Sequence, residues 1–433
     1  MVIPSEAKTK PAVTATEALG LLRPGMRILL PPGCGEPSTL VEELLRQSQR
    51  LRPLTLMGGL LLGDYPFCAP SYQDAFRWVT FHAMPALREA LRRGQAEFVP
   101  ARYADTPWLF GPDGPWAADA VLVQAAPPGP DGRLSLGVST SYPLAVARRA
   151  PLVIAEVNHA MPRTLGDSTL AWDRVTAWIE TTRPVVAYPA PRVTDVEHGV
   201  ARHVAELIPD GATIQVGIGA VPEAVAAALG GHRDLAVHSL LVDAMLPLLR
   251  AGVITGARKT RNAGRMDLGE IMGTEPLFRW AHDNPAVSMA PSTVIHDPAV
   301  VARLERFVSV NSAIEVDLTG QVNAESVGDR QMAGVGGQFD FVLGASLAPG
   351  GRSVIALPST GRSGEVSRIV AQLAPGARVT TPRYLTDCVV TEFGRAELRG
   401  LGEAQRARAL LRLAHPRFRE PLEREWRERG QAL

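Results

Sequence analysis

Short apolar runs bounded by glycine and proline alternate with amphipathic stretches along this chain, and that alternation restricts it to a narrow set of folds. Residues 26–31, 54–62, 121–125 and 152–157 have the length and composition of buried strands, whereas 40–50 and 86–93 carry apolar residues at helical spacing. Strand and helix in turn require crossover connections, which set strands parallel and cover the sheet with helices. Pro184, Pro189 and Pro191 then crowd residues 182–194, and a helical pattern resumes at Asp195. A domain boundary is predicted there, giving α/β domains at 1–190 and 191–433 with mostly parallel, open sheets. The second half repeats the pattern, with predicted strands at 213–218, 235–238, 307–314, 353–357 and 388–391 and helices at 222–229, 242–250 and 298–306. No period of 20 to 50 residues recurs, which argues against a solenoid or propeller.

Charge and composition narrow the partners. Forty-five basic residues against 44 acidic ones leave a formal charge of +1, so neither a nucleic acid nor an anionic membrane is expected, and a small molecule is. Residues 1–11 are polar and lack the apolar run of a signal peptide, and no later run has the length of a membrane span; a cytoplasmic protein is expected. Cys34, Cys68 and Cys388 are too few and too widely spaced for a disulfide framework, and no His/Cys cluster has metal-ligand spacing, so no metal is expected.

Several segments carry chemistry. Gly217-Ile218-Gly219 closes a predicted strand and Pro222 stands where a helix begins, which would leave backbone amides pointing outward, able to hold a phosphate or an oxyanion. The third glycine of a dinucleotide fingerprint is missing, and a tight turn with no ligand is the plain alternative. Gly334-Val335-Gly336-Gly337 allows close backbone approach and positive φ, as a ligand-facing loop or as a simple bulge. Glu315 and Asp317 share a strand face; acid/base work competes there with a structural role, as it does for Glu325 and Glu392. Glu392, just past an apolar strand, ranks first among these acids. His238, ending an apolar run, reads as a general base or a hydrogen-bonded core residue. In the first half, Gly33-Cys34-Gly35 lies between a strand and a helix near Ser38, and places Cys34 where a thiol is either activated or an inert small hydrophobe. Arg163, in the polar stretch 156–168, suits a carboxylate or phosphate partner or a structural ion pair.

The run from Val310 to Ser326, with Asn311, Glu315, Asp317, Asn323 and Glu325, followed by Gly334-Val335-Gly336-Gly337-Gln338-Phe339-Asp340-Phe341, resembles the signature of the acetyl-CoA hydrolase/transferase family. The likeness extends to Val216-Gly217-Ile218-Gly219-Ala220-Val221-Pro222 and to Val390 through Gly400. It implies two related domains of the CoA-transferase fold with the active site in the cleft between them, an acyl-CoA substrate, a carboxylate acceptor and a homodimer. It also implies an oxyanion hole built from the amide of Ile218 and one from Gly336 or Gly337. Gly33, Cys34, Gly217, Gly219, Asn323, Gln338 and Asp340 would line the CoA or substrate site. The family's nucleophilic glutamate follows His-Ser/Thr, but here His238-Ser239-Leu240-Leu241-Val242-Asp243 puts leucine at that place. Leu240 has no nucleophilic atom and Asp243 matches a separate family position, so a glutamyl-CoA intermediate is not expected at this position. Three functions remain: attack on the thioester by water or a bound acceptor, CoA transfer through another nucleophile such as Glu392 or Cys34, and CoA binding without turnover. Leu240 would then form an apolar wall beside the acyl group.

Overall fold

The computed structural model describes residues 11–432. Residues 1–10, on which the reading of the N-terminus largely rests, lie outside them. The chain forms two compact units. The first takes in the described chain up to Pro189 together with Met266–Ile295; the second comprises Ala190–Arg265 and the chain from His296 onward. The contiguous split anticipated at 190/191 therefore leaves out an excursion, since 266–295 folds with the first unit.

In the first unit, seven strands, β1 (Arg27–Leu29), β2 (Leu54–Met57), β3 (Phe76–Thr80), β4 (Ala96–Phe98), β5 (Ala120–Ala125), β6 (Leu152–Asn158) and β7 (Ala177–Thr181), form one sheet in the order β4-β3-β2-β1-β5-β6-β7. Every ladder in it is parallel. Both faces are covered, because alternate residues enter different cores: Leu29, Val121, Val123 and Ala155 pack on one side, and Ile28, Ala120, Leu122 and Ile154 on the other. Double burial explains why these strands read as continuous apolar runs. Helix α1 (Ser38–Arg46) follows β1, and α2 (Ser141–Ala147) follows β5. The excursion adds a parallel pair, Met266–Met272 with Val287–Met289.

The second unit is built on β8 (Thr213–Val216), β9 (Ala236–Val242), β10 (Phe307–Ser312), β11 (Arg352–Ala356), β12 (Cys388–Thr391) and β13 (Gly394–Glu397), with helices α3 (Asp195–Ala205), α4 (Ala220–Ala228) and α5 (Gln338–Leu347). The order is β9-β8-β10-β11-β12-β13, parallel except for the last ladder. Strand β9 runs to Val242, four residues past its predicted end at 238, because Leu240, Leu241 and Val242 are apolar too. The helix predicted from 242 accordingly begins only at Leu246, and that predicted over 298–306 shrinks to Pro298–Val301.

Both sheets reverse their order of growth once. From β1 the first sheet grows one way to β4, then restarts on the far side of β1 with β5 to β7. From β8 the second grows to β9, then restarts on the other side of β8 with β10. Right-handed crossovers then send the two sets of helices to opposite faces, which opens a crevice at the carboxyl ends of the two strands flanking the reversal. One crevice therefore lies beyond β1 and β5, the other beyond β8 and β10. The loops that follow β1 and β8 are Gly33-Cys34-Gly35 and Gly217-Ile218-Gly219.

Candidate active site

In the second unit, β8 is buried throughout, yet partial exposure returns at Gly217, Ile218, Gly219 and Ala220 before α4 is buried again from Val221. Gly219 has φ +117° and caps α4, a conformation that favours glycine. Gly217 has no such backbone need, and a Cβ built on it would meet nothing within 4 Å. The protein itself gives no steric reason for glycine there, whereas a ligand approaching the backbone would. The first turn of α4 lies at the same end of the sheet.

Strand β9 borders this turn. Its ladder with β8 consists of Thr213 with Ala236 and Ile214 with Val237, so Leu240 lies three residues past the last pair, as Gly217 does on β8's side. Leu240 is 9% exposed. Before it, Ser239 takes φ +85° inside a strand, a left-handed conformation that costs a non-glycine residue about 1–3 kcal/mol. No local residue pattern marks this distortion. Glu223, also passed over in the sequence, sits in the first turn of α4; burial first, then the charge of Asp243, pushes its carboxyl above the usual range, while the Ala244 amide opposes that.

His238 is buried within β9, packed edge-on against Phe307 and Phe341 with ring centroids 5.8 and 6.0 Å apart. It lies two residues below the crevice, in the core setting that competed with general base catalysis. Alongside it on the same face, Gln215 Oε1 accepts from Ser309 Oγ at 2.9 Å and Asn311 Nδ2 at 3.3 Å. This buried polar row ties β8 to β10 at the reversal.

The loop at 334–337 is partly exposed and leads into α5. Its glycines differ. Gly336 has φ +56° and open space around it, whereas a Cβ on Gly337 would come within 2.7 Å of the His296 and Phe341 rings. Packing alone thus accounts for Gly337. Gln338 donates to Thr381 Oγ1 at 3.2 Å, and Asp340 is wholly buried in the first turn of α5.

Other predicted residues are consumed by structure. Asn323 donates to Glu315 Oε1 (2.9 Å) and Ser326 O (2.8 Å) and accepts from the amides of Glu325 and Ser326 (both 3.0 Å), which uses its whole amide. Asp317 accepts from Thr319 and Gln321, and Glu325 from Thr380 Oγ1, so both fasten loops. Glu392 receives Ser359 N at 2.8 Å and Ser359 Oγ at 2.6 Å. It follows β12, three strand spacings or about 14 Å from β8.

In the first unit, Gly33 has φ +58°, and the loop is anchored by Glu36, which accepts from the amides of Leu62 and Gly63 at 2.9 Å and from Tyr65 Oη at 3.0 Å. Cys34 is 1% exposed, and burial, reinforced by the nearby carboxylates of Glu270 and Glu36, pushes its thiol up to about 12. The electropositive, exposed setting expected of a reactive thiol is replaced by its opposite. Arg163 Nε pairs with Asp283 Oδ1 at 2.7 Å, a structural role. Among the described residues no group of three or more His, Cys, Asp or Glu is placed to hold a metal, and no helix is long and apolar enough to cross a membrane.

Two open, mostly parallel α/β units, each with a glycine turn at its order reversal, belong to the α/β class whose ligands bind in the crevice at the carboxyl ends of strands. Comparison with known proteins makes this specific: the acetyl-CoA hydrolase/transferase N-terminal domain matches residues 6–189 and the C-terminal domain of the same family matches 273–426. The chain belongs to the acetyl-CoA hydrolase/transferase family and is an enzyme of the acyl-CoA transferase/hydrolase type. It is 38% identical over 418 residues to the 4-hydroxybutyrate coenzyme A transferase of Clostridium kluyveri, covering 96% of this chain and 97% of that one. It is 35% identical to the butyryl-CoA:acetate CoA-transferase of Anaerostipes caccae, with 96% of each covered. The fold matches that of RipA from Yersinia pestis at a TM-score of 0.92 and 30% identity, over 99% of this chain and 100% of that one.

Proposed function

We propose that this enzyme binds an acyl-CoA thioester at the β8/β10 crevice and activates its carbonyl through backbone amides, that of Ile218 and one from the Gly336-Gly337 loop. The observation that carries this reading is the turn at Gly217, where a glycine with no steric need ends a strand at the order reversal and opens a helix. Each amide aimed at the developing oxyanion is worth about 3 kcal/mol to the transition state. The attacking group comes from solution: water yields the free acid and CoA thiol, or a bound carboxylate yields an anhydride and CoA thiolate, which attacks the anhydride's other carbonyl to complete transfer. Leu240 supports this route, because β9 carries leucine where the family signature has a glutamate. Transfer to a carboxylate is favoured over hydrolysis by the relatives, which are named CoA-transferases.

A panel of acyl-CoA thioesters, each with and without carboxylates, tests the reading when run beside Leu240→Glu. Thioester loss in the unmodified enzyme and a gain of carboxylate-dependent exchange in the variant are expected. No thioester consumption by either protein would overturn it. The cytoplasmic location and homodimer expected from sequence and resemblance form part of the same proposal; sedimentation of the purified chain at twice 46.4 kDa would support the dimer.

A further inference from the structure

The second unit holds a polar pocket at the end of its sheet opposite the crevice. It lies where β11 and β12 begin, and its cavity of about 190 Å³ is lined by Ser346, Ser353, Tyr384, Thr386, Asp387 and Arg399. Ser346 stands in the last turn of α5, Asp387 immediately precedes β12, and Arg399 comes two residues after the end of β13. Because β10, β11 and β12 are parallel, the starts of β11 and β12 face away from the carboxyl ends at which the crevice opens. The five residues of β11 set those two ends about 15 Å apart. Opposite charges with spare bonding capacity meet here. Asp387 Oδ2 accepts from Ser353 N at 3.2 Å and stands 3.8 Å from Arg352 Nε, while Oδ1 takes no hydrogen bond among the described residues. Arg399 is exposed and makes no hydrogen bond or ion pair among the described residues. Ser353 is 2% exposed, and its buried Oγ has no hydrogen-bond partner among them either, a cost that the fold alone does not repay.

We infer that this pocket binds a small free α-amino acid, with the carboxylate on Arg399 and the ammonium on Asp387. A bare anion would gain Arg399 but face the charge of Asp387, and a bare amine would meet the reverse. A molecule carrying both charges on one carbon turns each into a charge-assisted hydrogen bond. The last turn of α5 favours the ammonium as well, since the helix dipole puts partial negative charge at that end. Room for about six waters suits an amino acid with a short side chain and excludes a nucleotide. The site is separate from the acyl-CoA crevice and does not depend on what binds there.

The test is calorimetric titration of the full chain with glycine, L-alanine and L-serine, beside propionate, ethylamine and inorganic phosphate as controls of one sign. At least one amino acid should bind with a Kd at or below about 1 mM, and every control at least about tenfold more weakly. Arg399→Gln and Asp387→Asn should each weaken that amino acid by about tenfold or more. Asparagine keeps an acceptor for Ser353 N, and if circular dichroism shows one variant unfolded, the other decides. No binding of any of the three amino acids, propionate or phosphate binding as tightly as they do, or affinity that survives the substitutions would overturn the proposal. Each of those results leaves the acyl-CoA reading standing, and failure of every thioester to bind would in turn leave this pocket untouched.

Discussion

Gly217→Ala separates a glycine kept for a ligand from one kept for packing. The new methyl meets no protein atom within 4 Å, and Gly217 is not among the glycines with positive φ. Folding should therefore be untouched or gain about 0.4–1 kcal/mol, since alanine restricts the unfolded chain. A thioester oxygen held by the neighbouring Ile218 amide would have to move to clear that methyl. Loss of one such contact is worth about 3 kcal/mol, roughly a hundredfold in kcat/KM. Gly337→Ala is the matched control, because its methyl would press within 2.7 Å of the His296 and Phe341 rings. Overpacking of that kind costs about 1–3 kcal/mol. Thermal melts and acyl-CoA turnover on both variants give the answer. Stable but slow is expected for position 217, and a lowered Tm for 337. Full activity in Gly217→Ala, or a loss of stability there equal to that of Gly337→Ala, would refute the reasoning.

Two further outcomes follow from burial. Cys34, with its thiol pushed up to about 12, should resist iodoacetamide at pH 8 in the folded enzyme, while Cys68, with intermediate exposure, reacts more readily; peptide mass spectrometry after brief alkylation distinguishes them. Burial, helped by the nearby His238, holds His296 down to about 3, so it stays neutral in the fold while the unfolded chain takes up a proton below about pH 6.5. Its neutral state thus costs nothing above pH 6.5, and stability falls as pH drops from there towards 3, by up to about 1.4 kcal/mol per pH unit. His296→Asn should flatten that part of the denaturation profile, and an unchanged slope would contradict the assignment.

The parallel sheets were legible because strands covered on both faces must be apolar along their whole length. Boundaries were less so where apolar residues continued past the expected end, as at Leu240 to Val242. The order reversals could not be read, since strand order is set by contacts between residues far apart in sequence, such as Gln215 with Ser309. Glycine posed the same difficulty at the site. Gly217 and Gly337 look alike in a sequence, and only their neighbours tell an open approach from a packed one. Polar side chains were hard to assign for a related reason: Asn323, Glu325 and Glu392 hold loops together, and their partners at Ser326, Thr380 and Ser359 are seen only in the fold. Glu270, near Cys34, was missed because the two acids of the strand Met266–Met272, Asp267 and Glu270, form no local pattern.

Trapping with borohydride during turnover, followed by intact-protein mass spectrometry, tests the central claim most directly. The account predicts CoA release from an acyl-CoA thioester with the enzyme mass unchanged throughout. A CoA thioester found on any glutamate, or the reduced alcohol it leaves, would contradict it.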